Sequence, residues 1–343
     1  MGKCHEYIPK IVGYKKMKDI KVSLICTLKN EESSIREFLD SLLSQSRLPD
    51  EVVILDGGST DKTVEIINSY IGKCDLIKLI VKKGANIAEG RNIAIKNAEY
   101  DIIASTDVGC RLDKNWLKNL IKPFEEDRSV DVVSGWYEAD AITEFEKCVA
   151  EVTYPKLKMV LKNPDKFLPS SRSIAFKKKC WEKVGGYPEW LYTAEDTLFD
   201  LNLKKKDCKF AFAPDAVVYW RVRSNSKDVF KQYYLYAKGD GEAGIFVRKY
   251  LKHNLIYLLG FTLLLLGFYH WLFWELLISG VVLYYFLRLS KKKIVKKKMN
   301  NIILAIKIMF IIDMAQISGW FKGFIFGKIN KKDDGNQFVQ NRN

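Results

Sequence analysis

The sequence predicts an α/β domain built on a mostly parallel central sheet, followed by a C-terminal helical hairpin suited to a membrane and one further apolar helix. Three observations carry that reading. Residues 21–110 alternate short apolar runs with amphipathic stretches, the pattern of a parallel sheet covered on both faces. Polar residues able to do chemistry gather just after the apolar runs, where such sheets hold ligands. Residues 254–289 are almost continuously apolar, too long for one span of ~20 residues and suited to two.

Taken in order, "KVSLICTL" is the first strand, and "EESSIREFLDSLLSQ" places Ile35, Phe38, Leu39, Leu42 and Leu43 on one helical face. "EVVILD" is the second strand, stopped by "GGSTD", and "KTVEIINSYI" is a helix. "LIKLIV" is the third strand, and "IAEGRNIAIKNA" is a helix with Ile87, Ala94 and Ile95 turned inward. "DIIAST" is the fourth strand and leads into the loop that holds Asp107.

The chain has 343 residues and a formal charge of +15. Residues 1–250 hold 42 basic and 37 acidic side chains, whereas residues 251–343 hold 14 and 4. The excess therefore lies beside the apolar region, not as a stripe across the folded domain, which argues against a nucleic-acid partner. Seven scattered cysteines with no C-x-x-C pair argue against a disulfide framework or a zinc site and suit a reducing compartment. The N-terminal stretch lacks the apolar core of a signal peptide, and Glu6 stands where N-myristoylation needs Ser or Thr.

Two tight spans are expected at about 252–268 and 272–289, turning at "YHWLFW", whose Tyr269, His270, Trp271 and Trp274 suit a headgroup boundary. Basic residues flank both outer ends, which places both ends in the cytoplasm. The next segment, 301–327, is interrupted by Lys307, Asp313 and Lys322. Each is costly at a bilayer centre, so a helix lying at the interface is expected rather than a third span. The lysines at 291–293 and 296–298 would attract anionic lipid headgroups, or serve only as a topology signal. The expected organisation is an N-terminal segment 1–19, a catalytic domain 20–245, membrane-anchoring helices 246–330 and a polar tail 331–343.

At the ends of the predicted strands stand Thr27, Lys29, Asn30 and Glu31, then Asp56, Ser59 and Asp61, then Asp107. Acids and turn amides around one crevice suit a nucleotide, although "DGGSTD" alone reads equally as a turn followed by a helix cap. Neither G-x-G-x-x-G after the first strand nor G-x-x-x-x-G-K-[ST] occurs, so a dinucleotide fold and a P-loop are unsupported.

"VSLICTLKNEE", "EVVILDGGSTDKT", "GANIAEGRNIAI", "STDVGCRLD" and "SSRSIAF…VGGYPE…AEDTLF", in that order over residues 20–245, resemble the family-two glycosyltransferases of GT-A fold. The apolar tail is similar to that of their membrane-anchored members. The resemblance implies an inverting transfer of sugar from a nucleotide-sugar donor to an acceptor hydroxyl or phosphate, assisted by a divalent cation, Mg²⁺ or Mn²⁺. It implies Thr27, Glu31 and Asp56 as nucleoside contacts, Arg91 as a base or phosphate contact, Asp107 as donor and metal ligand, and Asp196 as catalytic base. Glu195 beside it reads as a helix-capping acid. Two departures stand out: Gly109 replaces the usual second acid, and Trp220 stands where a histidine is usual. They predict a weak cation site at Asp107 backed by Arg221; Asp113 is a more distant substitute for the missing acid. Arg172 and Gln232 belong to the phosphate or acceptor side, and a lipid-linked acceptor suits a domain held at the cytoplasmic membrane face. A non-catalytic protein that kept the fold, or a nucleotidyltransferase, are the alternatives.

Overall fold

The computed structural model describes residues 20–292, 294 and 298–340. The readings made for residues 1–19 lie outside them. Among these, two compact units result: residues 20–140 with 155–221, and residues 141–154 with 222–340. The division after Arg221 differs from the expected boundary at 245, because two helices inside that range, residues 144–153 and 226–243, pack with the last C-terminal helix.

In the first unit the chain runs β1 (Val22–Leu28), α1 (Ile35–Leu43), β2 (Glu51–Asp56), α2 (Thr63–Ile71), β3 (Ile77–Val81), α3 (Ile87–Lys96), β4 (Ile102–Ser105), β5 (Cys110–Leu112), α4 (Trp116–Glu126) and β6 (Val132–Asp140). After α5 (Glu144–Thr153), which belongs to the second unit, come the short α6 (Leu157–Val160), β7 (Ile174–Lys177), α7 (Lys178–Val184), α8 (Glu195–Lys205) and β8 (Phe210–Arg221). The strands form one sheet in the order β3-β2-β1-β4-β7-β6-β8-β5. β3, β2, β1 and β4 are parallel neighbours, β7 is antiparallel to β4 and β6, and β5 is antiparallel to β8. The mostly parallel sheet expected from residues 21–110 is thus its first half.

Side-chain alternation along the strands explains why both faces are covered. On β1 and β2, Leu24, Cys26, Val52 and Ile54 face a core with Phe38 and Leu39 of α1 and Trp116 and Leu120 of α4. Ile25, Val53 and Leu55 face the other core with Ala94 and Ile95 of α3 and Phe199 of α8. Ile87, expected inward, is 43% exposed. Asn86 caps α3 by accepting from the Glu89 amide, so the helix starts with Ile87 outward and its buried face falls on Ala88, Arg91, Asn92 and Ile95. Cys74 is disulfide-bonded, which departs from the sequence reading, while Cys26, Cys110, Cys148, Cys180 and Cys208 are free and buried.

The second unit holds α5, α9 (Ser226–Ala243), α10 (Val247–Leu266), α11 (Leu272–Lys292) and α12 (Met299–Gln340). α10 and α11 form the expected hairpin, with large outward apolar side chains such as Leu258, Leu259, Phe261, Leu276, Ile278 and Val282. By length and hydropathy, α11 and residues 299–327 of α12 are apolar enough to cross a membrane, and α10 does not pass. Arg248, Lys249, Lys252, His253 and Asn254 occupy the first turns of α10. About a dozen apolar residues remain, or ~18 Å of helix against a ~30 Å hydrocarbon core.

Asp313, the acid that makes α12 costly as a span, is 1% exposed. It accepts from Tyr257 at 2.7 Å, from Tyr284 at 3.2 Å and from Arg288, which ties α10, α11 and α12 together. Gly319 and Gly323 let α12 lie directly on α9: a Cβ at either would strike the carbonyl of Tyr234 or Lys238.

Candidate active site

The loops after β1 and β2 are zipped together. Asn30 donates its amide to Ser59 Oγ at 2.7 Å and accepts from the Thr60 amide at 2.9 Å. Glu31 donates its amide to Thr63 Oγ1 at 2.8 Å, and its carboxylate takes the Ser34 hydroxyl. Asp56 is fully buried and closes its own turn, accepting from the Gly58 and Ser59 amides at 2.8 and 2.7 Å and from Ser59 Oγ at 2.5 Å. Asp61 accepts from Thr63 at the start of α2. The turn-and-cap chemistry of "DGGSTD" is therefore realised, and it holds Glu31 and Asp56 at the strand ends beside the half-buried Thr27.

Arg91 has a different place from the one expected. Its side chain is 5% exposed and its guanidinium bridges two acids, Glu195 Oε1 at 2.7 Å and Asp107 Oδ1 at 2.9 Å. It also lies 5.3 Å from the Tyr187 ring centroid. A buried arginine with both ends on carboxylates is a bridge, a placement that its sequence reading as a base or phosphate contact did not include. Gly90 makes this possible: a Cβ there would come within 2.9 Å of Leu55 and Thr27, so only glycine lets α3 press this close to the sheet. Burial opposes the Arg91 charge, but Asp107 and Glu195 outweigh it, and its pKa is raised.

Asp196 and Glu195 open α8 behind Ala194, whose φ of 65° is left-handed backbone that an alanine adopts at a cost of about 1–2 kcal/mol. Asp196 is half-buried and takes the Thr197 amide on Oδ1 at 2.7 Å. Glu195, read from sequence as a capping acid, is the partner of Arg91. Burial first, then the charge of Asp196, push its carboxyl up to about 7 against the opposing pull of Arg91. Asp200, one turn on, is fully buried and raised by burial and by Asp196.

Asn92 fixes the preceding loop: its amide donates to Tyr187 O and Glu189 Oε1, both at 2.8 Å, and accepts from the Tyr187 amide and Trp181 Nε1. Sequence reading passed over Asn92, although "EGRN" put it next to Arg91.

Asp107 is met by a second arginine, and it is Arg172 rather than Arg221. Arg172 Nε lies 3.8 Å from Asp107 Oδ2, whereas the exposed Arg221 reaches Asp140 at 3.6 Å. Arg172 lies over Trp220, its guanidinium carbon 3.7 Å from the ring centroid. Asp113 instead holds the turn before α4, accepting from the Asn115 amide at 2.9 Å. Gln232 belongs to α9 in the second unit, where its amide donates to Tyr236 at 3.0 Å. Among the described residues no cluster of three or more His, Cys, Asp or Glu side chains could hold a metal.

One eight-stranded mixed sheet thus carries Asp56 at the end of β2 and Asp107 just beyond β4. Residues 23–184 match the model of Glycosyl transferase family 2. They form a glycosyltransferase family 2 domain, and the sheet has the GT-A fold. It is 24% identical over 224 residues to the O-antigen chain rhamnosyltransferase RfbN of Salmonella typhimurium, covering 63% of this chain and 71% of that one. It is 23% identical over 228 residues to the poly-beta-1,6-N-acetyl-D-glucosamine synthase of Staphylococcus epidermidis, covering 64% of this chain but 55% of the synthase. Among solved structures, the mannosyltransferase PcManGT of Pyrobaculum calidifontis, in complex with GDP-Man and Mn²⁺, matches with a TM-score of 0.58 at 17% identity, covering 93% of this chain and 91% of that one.

Proposed function

We propose that the chain is an inverting transferase that moves a sugar from a nucleotide-sugar donor to an acceptor hydroxyl or phosphate at the cytoplasmic face of a membrane. The observation that carries this reading is the continuous chain Asp107–Arg91–Glu195, which ends beside Asp196. It couples the donor end of the sheet to a half-buried carboxylate at the start of α8.

In the proposed step the acceptor oxygen attacks the anomeric carbon from the face opposite the diphosphate. Asp196 takes the acceptor proton, and the diphosphate leaves with the bonding pair, so one base suffices for inversion. Thr27, Glu31 and Asp56 would hold the nucleoside. The rigid bridge of Arg91 keeps Asp107 and the α8 start in register, which matters because small misplacements cost large factors in rate.

The residues fit a divalent cation that arrives on the donor, with Asp107 as its one protein oxygen, and they do not fit one held by protein alone. Mg²⁺ tolerates such a site because phosphate and water complete its shell. When bound, the cation supplies positive charge to the leaving diphosphate. The complex of PcManGT supports including GDP-sugars and Mn²⁺ in any test.

The outward apolar side chains of α10 and α11 support membrane association, since exposed patches of this extent mark a surface meant to be covered. α12 contacts α5 near Asn301 and α9 near Gly319–Gly327. Polar helices at both its ends favour a helix lying at the membrane surface. A lipid-linked acceptor fits that arrangement.

The test is nucleotide release from a panel of UDP- and GDP-sugars by the detergent-solubilised protein with membrane lipid extract, followed by NMR of the product's anomeric centre. Release with inversion supports the proposal; release with retention overturns it.

A further inference from the structure

The donor diphosphate brings two to three negative charges to a place where this chain offers one carboxylate. Around Asp107 the missing acid and the missing histidine leave different chemistry. Gly109 is exposed, and a Cβ there would meet nothing within 4 Å, so that side of the loop is open space. Trp220 pairs directly with Cys110, three residues beyond Asp107, which sets its indole beside the loop. Arg172 lies on that indole at 3.7 Å, 17% exposed, and donates to Ser170 Oγ at 2.7 Å.

The turn that carries Arg172 is pinned on both sides. Ser171 Oγ is 3.1 Å from Tyr187 Oη, and Ser173 Oγ accepts from Trp116 Nε1 at 2.9 Å and donates to Ala216 O at 3.0 Å. Both neighbours of Arg172 are nearly fully buried, so the guanidinium is delivered by a rigid base rather than a mobile loop.

We propose that Arg172, held over the Trp220 ring beside Asp107, is the cation that binds the donor's diphosphate, so that nucleotide binding does not require a divalent metal. The inference rests on the nucleotide-sugar reading above and deepens it. A planar guanidinium satisfies phosphate oxygens through paired N–H donors. A guanidinium over an indole face is itself favourably placed for a cation. Arg91 holds Asp107 from behind, so the carboxylate's charge is already balanced when the phosphates arrive. A donor-borne cation is then an accessory, where a two-acid site would make it a requirement.

The experiment is calorimetric titration of UDP and of GDP into the detergent-solubilised full chain, in EDTA and in Mn²⁺. We expect one of the two nucleotides to bind in EDTA within about threefold of its affinity in Mn²⁺. Arg172→Ala should weaken that binding in EDTA by about 10- to 100-fold, the scale of a lost hydrogen bond to a charged group, and Mn²⁺ should restore part of it. Trp220→Leu keeps the charge but removes its shelf and should give a smaller loss. Thermal unfolding of each variant separates misfolding from lost contact. Binding abolished by EDTA in the unaltered chain, or unchanged in a folded Arg172→Ala, overturns the proposal. No binding of either nucleotide in either condition instead removes the donor reading on which it rests.

Discussion

Replacing Arg91 by leucine tests the bridge on which the candidate site is built. The guanidinium is the shared partner of Glu195 and Asp107, at 2.7 and 2.9 Å. Removing one member of a buried pair costs ~3–5 kcal/mol, because the other charge stays buried without compensation. Glu195 is only 8% exposed, so the lower end of that range, about 3 kcal/mol, applies to it. Asp107 is 32% exposed and water takes over much of its loss, leaving about 1 kcal/mol. The expected total is about 4 kcal/mol, or a fall in Tm of ~8–16 °C for a domain of this size.

The loss should be larger at pH 8 than at pH 6, because Glu195 freed of Arg91 must enter the fold protonated, and that becomes harder as pH rises. The assay is thermal unfolding of the solubilised chain followed by circular dichroism. Adding Glu195→Leu to Arg91→Leu should recover about half of the loss or more, since an apolar pair tolerates the site that a lone charge does not. A single variant within about 1 kcal/mol of the parent, or a double variant no better than the single, would refute the reasoning.

Three further outcomes follow from the same geometry. Burial and the charge of Asp196 hold the Glu195 carboxyl above the usual carboxylate range, so it takes up a proton, and its ion pair with Arg91 is lost, at a higher pH than for an ordinary glutamate; turnover should therefore fall on the acid side from above that ordinary range, and Glu195→Gln should flatten that limb, as a rate–pH profile will report. Gly109→Asp has room for its side chain and creates a second acid two residues from Asp107, so nucleotide affinity in the variant should rise at least about fivefold on adding Mn²⁺, more than in the parent, by calorimetry. Gly323→Val would drive a side chain into the Lys238 carbonyl and should loosen α12 from α9 at a cost of about 1–3 kcal/mol, visible as faster proteolysis within residues 226–243.

Much of the first half of the fold was legible because its signal is local. β2 falls on residues 51–56 as read, β1 and β3 differ by a residue at one end and β4 by a residue at each end, since apolar runs between turn residues mark buried parallel strands directly. Ile87 was misplaced because the cap at Asn86, not the apolar count, sets where α3 starts and which face it turns inward. The individual acids of the site were readable at strand ends and helix starts, but their partners were not. Arg91 meets Glu195 across 104 positions of sequence, and no spacing rule reaches that far. Arg172 was chosen over Arg221 for Asp107 by the pairing of β5 with β8, which only the sheet order reveals. Asp313 looked costly in isolation; its three partners come from two other helices.

The central claim is that Asp196 is the base of a sugar transfer. Its most direct test is nucleotide release by Asp196→Asn, using the donor that the panel identifies, with calorimetry of the same donor alongside. The account predicts a fall in turnover of about 100- to 10,000-fold with donor affinity unchanged within about threefold. Turnover above about a tenth of the parent's, with the donor still bound, would contradict it.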